Sequence, residues 1–256
     1  MNSSNEASGF APWFQSFPEL MRSIEEPILP GDGPGHWQTN MGLFRRFCGA
    51  LPQWVSRPLF VKVGANDGLT GDPCSDLLVA DRRWQGLLIE PVPWCFARLQ
   101  SNFSDTDRFV LEQVAVGPGN SQATLYCVSE EARRVVPDLP QWADQLGSFD
   151  RQHILKHLNG ILEPFIREME VEVRSLSEIL DRNHIRECHL LHIDTEGHDY
   201  QVLRTLDFSA IRPLAIFVEH KHLNAQEKAA LCSLLGERGY TIGDCGGDYF
   251  ALIQKN

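Results

Sequence analysis

From Leu59 onward the chain alternates short apolar bursts with amphipathic stretches. The bursts predict strands at Leu59 to Val63, Gly86 to Glu90, Phe109 to Ala115, His189 to Asp194, Leu214 to Glu219, Tyr240 to Ile242 and Tyr249 to Ile253. They are brief, apolar runs without long alternation, as strands buried on both faces read. Helices are predicted at Ser75 to Asp81, Pro93 to Asn102, Leu176 to Asn183, Tyr200 to Leu206 and Ala225 to Arg238. Alternation of this kind specifies an α/β fold with a mainly parallel sheet and helices on both faces. The closing GERGYTIGDCGGDYFALIQ reads as a hairpin, which puts an antiparallel strand at the sheet edge.

Two regions break the pattern. Residues 1–58 form an extension, with a helix at Pro18 to Glu26, a Pro/Gly loop at Pro30 to Gly35, and a second helix at Met41 to Leu51. Leu43, Phe44, Phe47 and Cys48 are spaced for one buried face. Together with Trp13, Phe14, Phe17, Trp37 and Trp54 they predict an extension that packs on the main domain (59–256), over the active site or at a homo-oligomer interface. The other region is an insertion at about 123–174, with a strand at Ala123 to Val128, a Pro-containing loop and a helix near Gln152 to Leu158.

Composition excludes some partners. The net charge of −11 opposes binding to nucleic acid, whose phosphates require a basic footprint, and would repel anionic membranes. No stretch approaches the length of a membrane span and the N-terminus carries no signal pattern, so a cytoplasmic location is expected. Seven scattered cysteines without a C-x-x-C pair read as free thiols rather than a disulfide framework or zinc site.

The candidate chemistry lies at the carboxyl ends of the predicted strands, where open α/β sheets bind ligands. After Phe60 to Val63 comes Gly64-Ala65-Asn66-Asp67-Gly68, small residues that let backbone approach a ligand. Glu90 ends LLIEP, the position from which an acid accepts hydrogen bonds from ribose hydroxyls. Neither G-x-G-x-x-G nor a P-loop is present, so nothing is built to wrap a pyrophosphate, and a nicotinamide oxidoreductase is disfavoured. The acidic Asn66-Asp67 loop instead suits a ligand with an ammonium and a sulfonium, as in S-adenosylmethionine. Asp194 ends LLHID, facing the cleft or capping the next helix. Glu219, His220 and His222 end IFVEHKHL. His153 and His157 lie four apart on one helix face, positions that suit substrate contact, solvent or a metal pair.

Taken together, FVKVGANDG, LLIEPVPWCFARLQSNF, GSFDRQHILKH, LLHIDTEGHDYQVL and FVEHKHL resemble the FkbM family of S-adenosylmethionine-dependent methyltransferases, over about Leu59 to Ile253. The resemblance implies a Rossmann-like class I methyltransferase fold with a seven-strand sheet, and O-methylation of a hydroxyl on a small molecule, sugar or natural product. By motif it implies that Gly64 to Gly68 hold the amino-acid part of the cofactor and that Glu90, followed by Pro91, holds its ribose. Val114 and Ala115 would flank the adenine and Asp194 would sit near the methyl group. Ser148 and Phe149 of GSFD, with His153 and His222, are the expected acceptor contacts.

Deprotonation of an acceptor hydroxyl needs a base or a metal. His220 is the expected base, oriented by Glu219 or Asp194. In the competing arrangement Asp194, Glu219 and His220 ligate a magnesium-like ion. A protein of the same fold that has lost catalysis is the alternative to an enzyme, and the presence of Asp67, Glu90 and Asp194 weighs against it.

Overall fold

The computed structural model describes residues 28–29 and 35–254. The helix expected at Pro18 to Glu26, and Trp13, Phe14 and Phe17 with it, lie outside the described residues. Apolar bursts become β1 (Leu59–Val63), β2 (Gln85–Ile89), β3 (Phe109–Glu112), β8 (Leu190–Ile193), β9 (Ala215–Glu219), β10 (Tyr240–Asp244) and β11 (Asp248–Ile253). Between β3 and β8 lie β4 (Ala115–Val116), β5 (Ser121–Val128), β6 (Gly147–Ser148) and β7 (Ile166–Arg174).

The main sheet has seven strands in the order β10-β11-β9-β8-β1-β2-β3. β1 pairs parallel with both β2 and β8, with Val63 opposite Ile89 on one side and Ile193 on the other. The chain therefore winds outward in both directions from β1 and β8, and the turns leaving their carboxyl ends part to open a crevice. The antiparallel strand is β11, which pairs antiparallel with both β9 and β10. It lies second from the edge and not at the edge as expected, because the hairpin folds back inward and leaves β10 outermost.

Two further differences lie around the insertion. The strand expected from Phe109 to Ala115 is broken in two: β3 stays in the main sheet, while β4 joins a second, four-stranded sheet ordered β4-β7-β5-β6. β7 went unrecognised because its sequence, IREMEVEVR, is mostly charged, yet Val171 and Val173 point alternately into a small apolar core with Leu125 and Cys127.

Helix α1 (His36–Ala50) ends the extension and packs against β10 and β11. Its Leu43, Phe44, Phe47 and Cys48 are wholly buried in the same core as the main sheet, and Phe44 stacks on Phe217 of β9 with ring centroids 4.0 Å apart. Asn40 ties this corner together: its side chain donates to Leu29 O and to Asp244 O, and accepts from Leu29 N. The other α-helices among the described residues are α2 (Ser75–Ala80), α3 (Pro93–Asn102), α4 (Glu131–Val135), α5 (Arg151–Lys156), α6 (Leu176–Arg182), α7 (Asp199–Leu203) and α8 (Ala225–Glu237). Among the described residues no helix is long and apolar enough to cross a membrane.

Candidate functional site

The turn after β1 is shaped by one close approach. Gly64 has φ +73°, and a Cβ there would stand 1.8 Å from the backbone oxygen of Asp194. Only glycine lets the β1 and β8 turns meet at this distance. The N–H groups of Gly64 and Ala65 both donate to Ile89 O, and the Asn66 N–H donates to Glu90 Oε2 at 2.9 Å. Val92 N–H donates to the other oxygen, Oε1, at 2.8 Å. Glu90 thus braces two strand tips. Burial pushes its carboxyl up to about 7, against the pull of those two N–H groups.

The turn after β8 presents a second set of acids. Asp199, fully buried at the start of α7, accepts from Thr195 N at 2.8 Å, Thr195 Oγ1 at 3.1 Å and Gly197 N at 3.1 Å. That clasp holds Glu196 at φ +54°, an uncommon conformation for a residue with a side chain. Burial, with Asp194 next, raises the Asp199 carboxyl to about 8; burial, with Glu196 next, raises Asp194 to about 6.

Two cavities flank this pair of turns. The first has an apolar slot made by Ile89, Val114, Val116 and Leu125, and Glu90 and Asp194 also line it. The second is polar and is lined by Lys62, Thr70, Asp72, His157 and Lys221, with Trp142 from the insertion. Asn66, Gln145, Asp194 and Glu196 line both, so the two are compartments of one cleft. Lys62, in mid-β1 opposite His192, forms a buried ion pair with Asp72. Burial alone would raise Asp72, but Lys62 and then His192 hold it well below the usual carboxylate range.

Against the second cavity stands a cluster of imidazoles. His153 Nε2 is 3.0 Å from Glu196 Oε2 and 3.2 Å from His157 Nε2, and His222 Nε2 is 3.3 Å from the same Glu196 oxygen. One ligand atom from each of these four residues can be chosen so that all lie within 4.8 Å of one another.

The family described as "Methyltransferase FkbM domain" matches residues 62–242, most of the chain, including the tips of β1, β2 and β8. The chain belongs to the FkbM methyltransferase family. No curated protein matches it. Among solved structures it is similar to the FkbM methyltransferase from Methylobacillus flagellatus KT, at 15% identity and TM-score 0.47, over 93% of this chain and 59% of that one. It is also similar to the methyltransferase domain of METTL16, at 13% identity and TM-score 0.42, over 98% of this chain and 81% of that one. The chain thus spans less than two thirds of the length of the Methylobacillus protein.

Within this FkbM domain the structure sorts the expected residues. Gly64, Asn66, Glu90, Pro91, Val114, Ala115 and Asp194 surround the first cavity, and Ala65 faces the second. Asp67 faces neither: its carboxylate accepts from Leu69 N, Thr70 N and Thr70 Oγ1, capping its own turn. The acids lining the cleft are instead Glu90, Asp194, Glu196 and Asp72, the last paired with Lys62. Gly68 is structural, since a Cβ there would lie 2.2 Å from the Phe103 ring of the region after α3.

Ser148 and Phe149, expected at the acceptor, line the first cavity beside His198, which meets Phe149 edge-on at 5.0 Å. His220 is not at the cleft. Its ring stacks on Tyr249 at 3.8 Å and its Nε2 lies 3.3 Å from Asp244, because successive residues leaving β9 point opposite ways. Neither the expected base nor the Asp194, Glu219, His220 ligand set is therefore assembled. Glu219 takes the other direction and meets Lys221 at 2.5 Å. Burial, with Asp194 and Asp199 nearby, pushes its carboxyl upward while Lys221 opposes. Lys62, Asp72, Gln145, Glu196 and Lys221 are cleft residues that the sequence pattern does not single out, although Lys62, Glu196 and Lys221 sit inside FVKVGANDG, LLHIDTEGHDYQVL and FVEHKHL.

Proposed function

We propose that the chain binds S-adenosylmethionine in the first cavity and methylates a hydroxyl of a small polar acceptor, such as a sugar or a hydroxylated natural product, held in the second. The observation that carries this reading is the meeting of an apolar and a polar compartment across Asn66, Gln145, Asp194 and Glu196. The residues of the first compartment fit the cofactor. The slot of Ile89, Val114, Val116 and Leu125 suits a purine, and buried Glu90 can accept from a ribose diol while its backbone donors hold it in place. Asp194 supplies negative charge where a sulfonium would lie.

When bound, S-adenosylmethionine supplies the methyl group and a neutral thioether as leaving group. The chain's own part is positioning: it holds the two molecules on either side of one boundary and screens that boundary from water with Gln145 and Trp142 of the insertion. Asp194, facing both compartments, is placed to take the acceptor's hydroxyl proton. Lys62 and Lys221 line the acceptor compartment, each held by an acid, Asp72 and Glu219.

Thermal unfolding with S-adenosylhomocysteine, S-adenosylmethionine and NAD tests the cofactor. A ligand at a hundred times its Kd stabilises by about 2.7 kcal/mol, a rise of about 5–10 °C for a domain of this size. A rise with NAD and none with the adenosyl ligands would sink the reading. Release of S-adenosylhomocysteine in the presence of polyhydroxylated acceptors then tests the transfer.

A further inference from the structure

We propose that His153, His157, Glu196 and His222 form a binding site for a first-row divalent transition ion. They come from three segments far apart in the chain: α5 and the turn that follows it, the β8–α7 turn, and the loop after β9. The rings of His153 and His222 are nearly perpendicular with centroids 4.5 Å apart, and His157 closes the third side at 4.9 Å from His153 and 5.4 Å from His222.

Hydrogen bonding within the cluster cannot satisfy it. A ring nitrogen directs one N–H or one lone pair, so His153 Nε2 cannot serve both Glu196 Oε2 at 3.0 Å and His157 Nε2 at 3.2 Å. His222 Nε2 is buried, lies 3.3 Å from Glu196 Oε2, and makes no hydrogen bond. One cation accepting lone pairs from all four residues removes the conflict. The spacing agrees with this: ligands at about 2.0–2.1 Å from a tetrahedral ion stand about 3.3–3.4 Å apart. The contacts of 3.0, 3.2 and 3.3 Å are close to that separation. Three imidazoles and one carboxylate favour zinc or iron over magnesium, which prefers oxygen.

Both Glu196 and His157 line the second cavity, so the ion would stand at its wall. Its role there rests on the methyl-transfer reading. By expanding its coordination the ion would take an acceptor hydroxyl oxygen and lower that group's pKa, the proton passing to Asp194.

The test is a titration of the full chain, stripped of metal, with CoCl2. The expected result is intense visible bands of low-coordinate cobalt saturating at one equivalent, lost on adding ZnCl2 and unaffected by MgCl2. His157→Ala and Glu196→Gln should each weaken cobalt binding by about a hundredfold or more, with circular dichroism confirming the fold. His220→Ala, outside the cluster, should titrate like the unaltered protein. A wild-type spectrum of aquo-cobalt alone, or unchanged titration of both cluster variants, overturns the site. A thermal shift with S-adenosylhomocysteine on the same protein separates the two readings. A shift without cobalt binding removes only the metal, and cobalt binding without a shift removes the methyl-transfer role.

Discussion

Gly64→Ala and Gly71→Ala form a pair that isolates the approach of the β1 and β8 turns. Both glycines have positive φ, +73° and +75°, so alanine pays a similar backbone strain at each, about 1–2 kcal/mol. At Gly71 a Cβ meets nothing within 4 Å, and strain is the whole effect. At Gly64 the Cβ would stand 1.8 Å from Asp194 O and 2.8 Å from Asp194 C, both backbone atoms that no rotamer change can move aside. The β8 turn must shift by more than an ångström, which adds about 1–3 kcal/mol of overpacking. Urea unfolding should give about 1–2 kcal/mol for Gly71→Ala and about 2–5 kcal/mol for Gly64→Ala. Because the displaced residue carries Asp194 and leads into Glu196, Gly64→Ala should also lose adenosyl-ligand binding while Gly71→Ala keeps it. Equal destabilisation, or retained affinity in Gly64→Ala, would refute the reasoning.

Ionised Glu90 accepts from a ribose diol more strongly than its acid form does, and its carboxyl is raised to about 7. Affinity for S-adenosylhomocysteine should therefore fall as pH drops below 7, by about tenfold per unit at the limit, and Glu90→Gln should flatten that dependence in calorimetry. Lys62→Met leaves Asp72 charged and buried, which should destabilise by about 3–5 kcal/mol in urea, with Lys62→Met/Asp72→Asn restoring part of it. Stability itself should fall between pH 7 and 8.5: unfolded carboxyls have released their protons by about pH 5, whereas Glu90 and Asp248, at about 7, and Asp199, at about 8, keep theirs longer. The native state then binds more protons, so stability drops as pH rises. Neutral buried His189 and His192, at about 4 and 3, act the other way only below about 6.5, which leaves the upper window clean for thermal unfolding.

Much of the main sheet was legible because buried parallel strands announce themselves as uninterrupted apolar runs. β1 has the predicted bounds and α3 starts and stops where Pro93 and Asn102 do. β7 was hidden by its charge, since its inward residues are valines spaced among glutamates. At the site, motif reading found the strand tips but not the direction of each side chain. An aspartate in a tight turn can face a ligand or its own backbone, and Asp67 does the latter. The order His220, Lys221, His222 does not say which ring turns back onto Tyr249 and which reaches Glu196. His153 and His157 were expected on one helix face, but the helix ends at Lys156 and His157 follows it in extended backbone; their meeting with Glu196, some forty positions away, is a product of tertiary folding.

The cleft gathers more acid groups than its neighbours offset, and burial with their mutual repulsion raises the carboxyls of Asp199, Glu219 and Asp248 toward the neutral form. Asp194, Glu196, Asp199, Glu219 and Asp248 converge where β8, β9 and β11 come together, and the nearby lysines are already engaged, Lys62 with Asp72 and Lys221 with Glu219. A surplus of acid groups at a boundary between two compartments favours cationic ligands on both sides, because a nearby cation lets the raised carboxyls ionise. S-adenosylmethionine carries a sulfonium that S-adenosylhomocysteine lacks, so the metal-free protein should bind the former more tightly than the neutral thioether. A divalent ion held by Glu196 would discharge the same acids and add positive charge beside the sulfonium. Metal loading should therefore shrink the preference for S-adenosylmethionine, and by reciprocity the cationic cofactor should weaken cobalt binding more than S-adenosylhomocysteine does. Calorimetry of both ligands with and without cobalt measures the two sides of that linkage. A preference that is unchanged by metal would mean that the acids at the boundary serve only one of the two ligands.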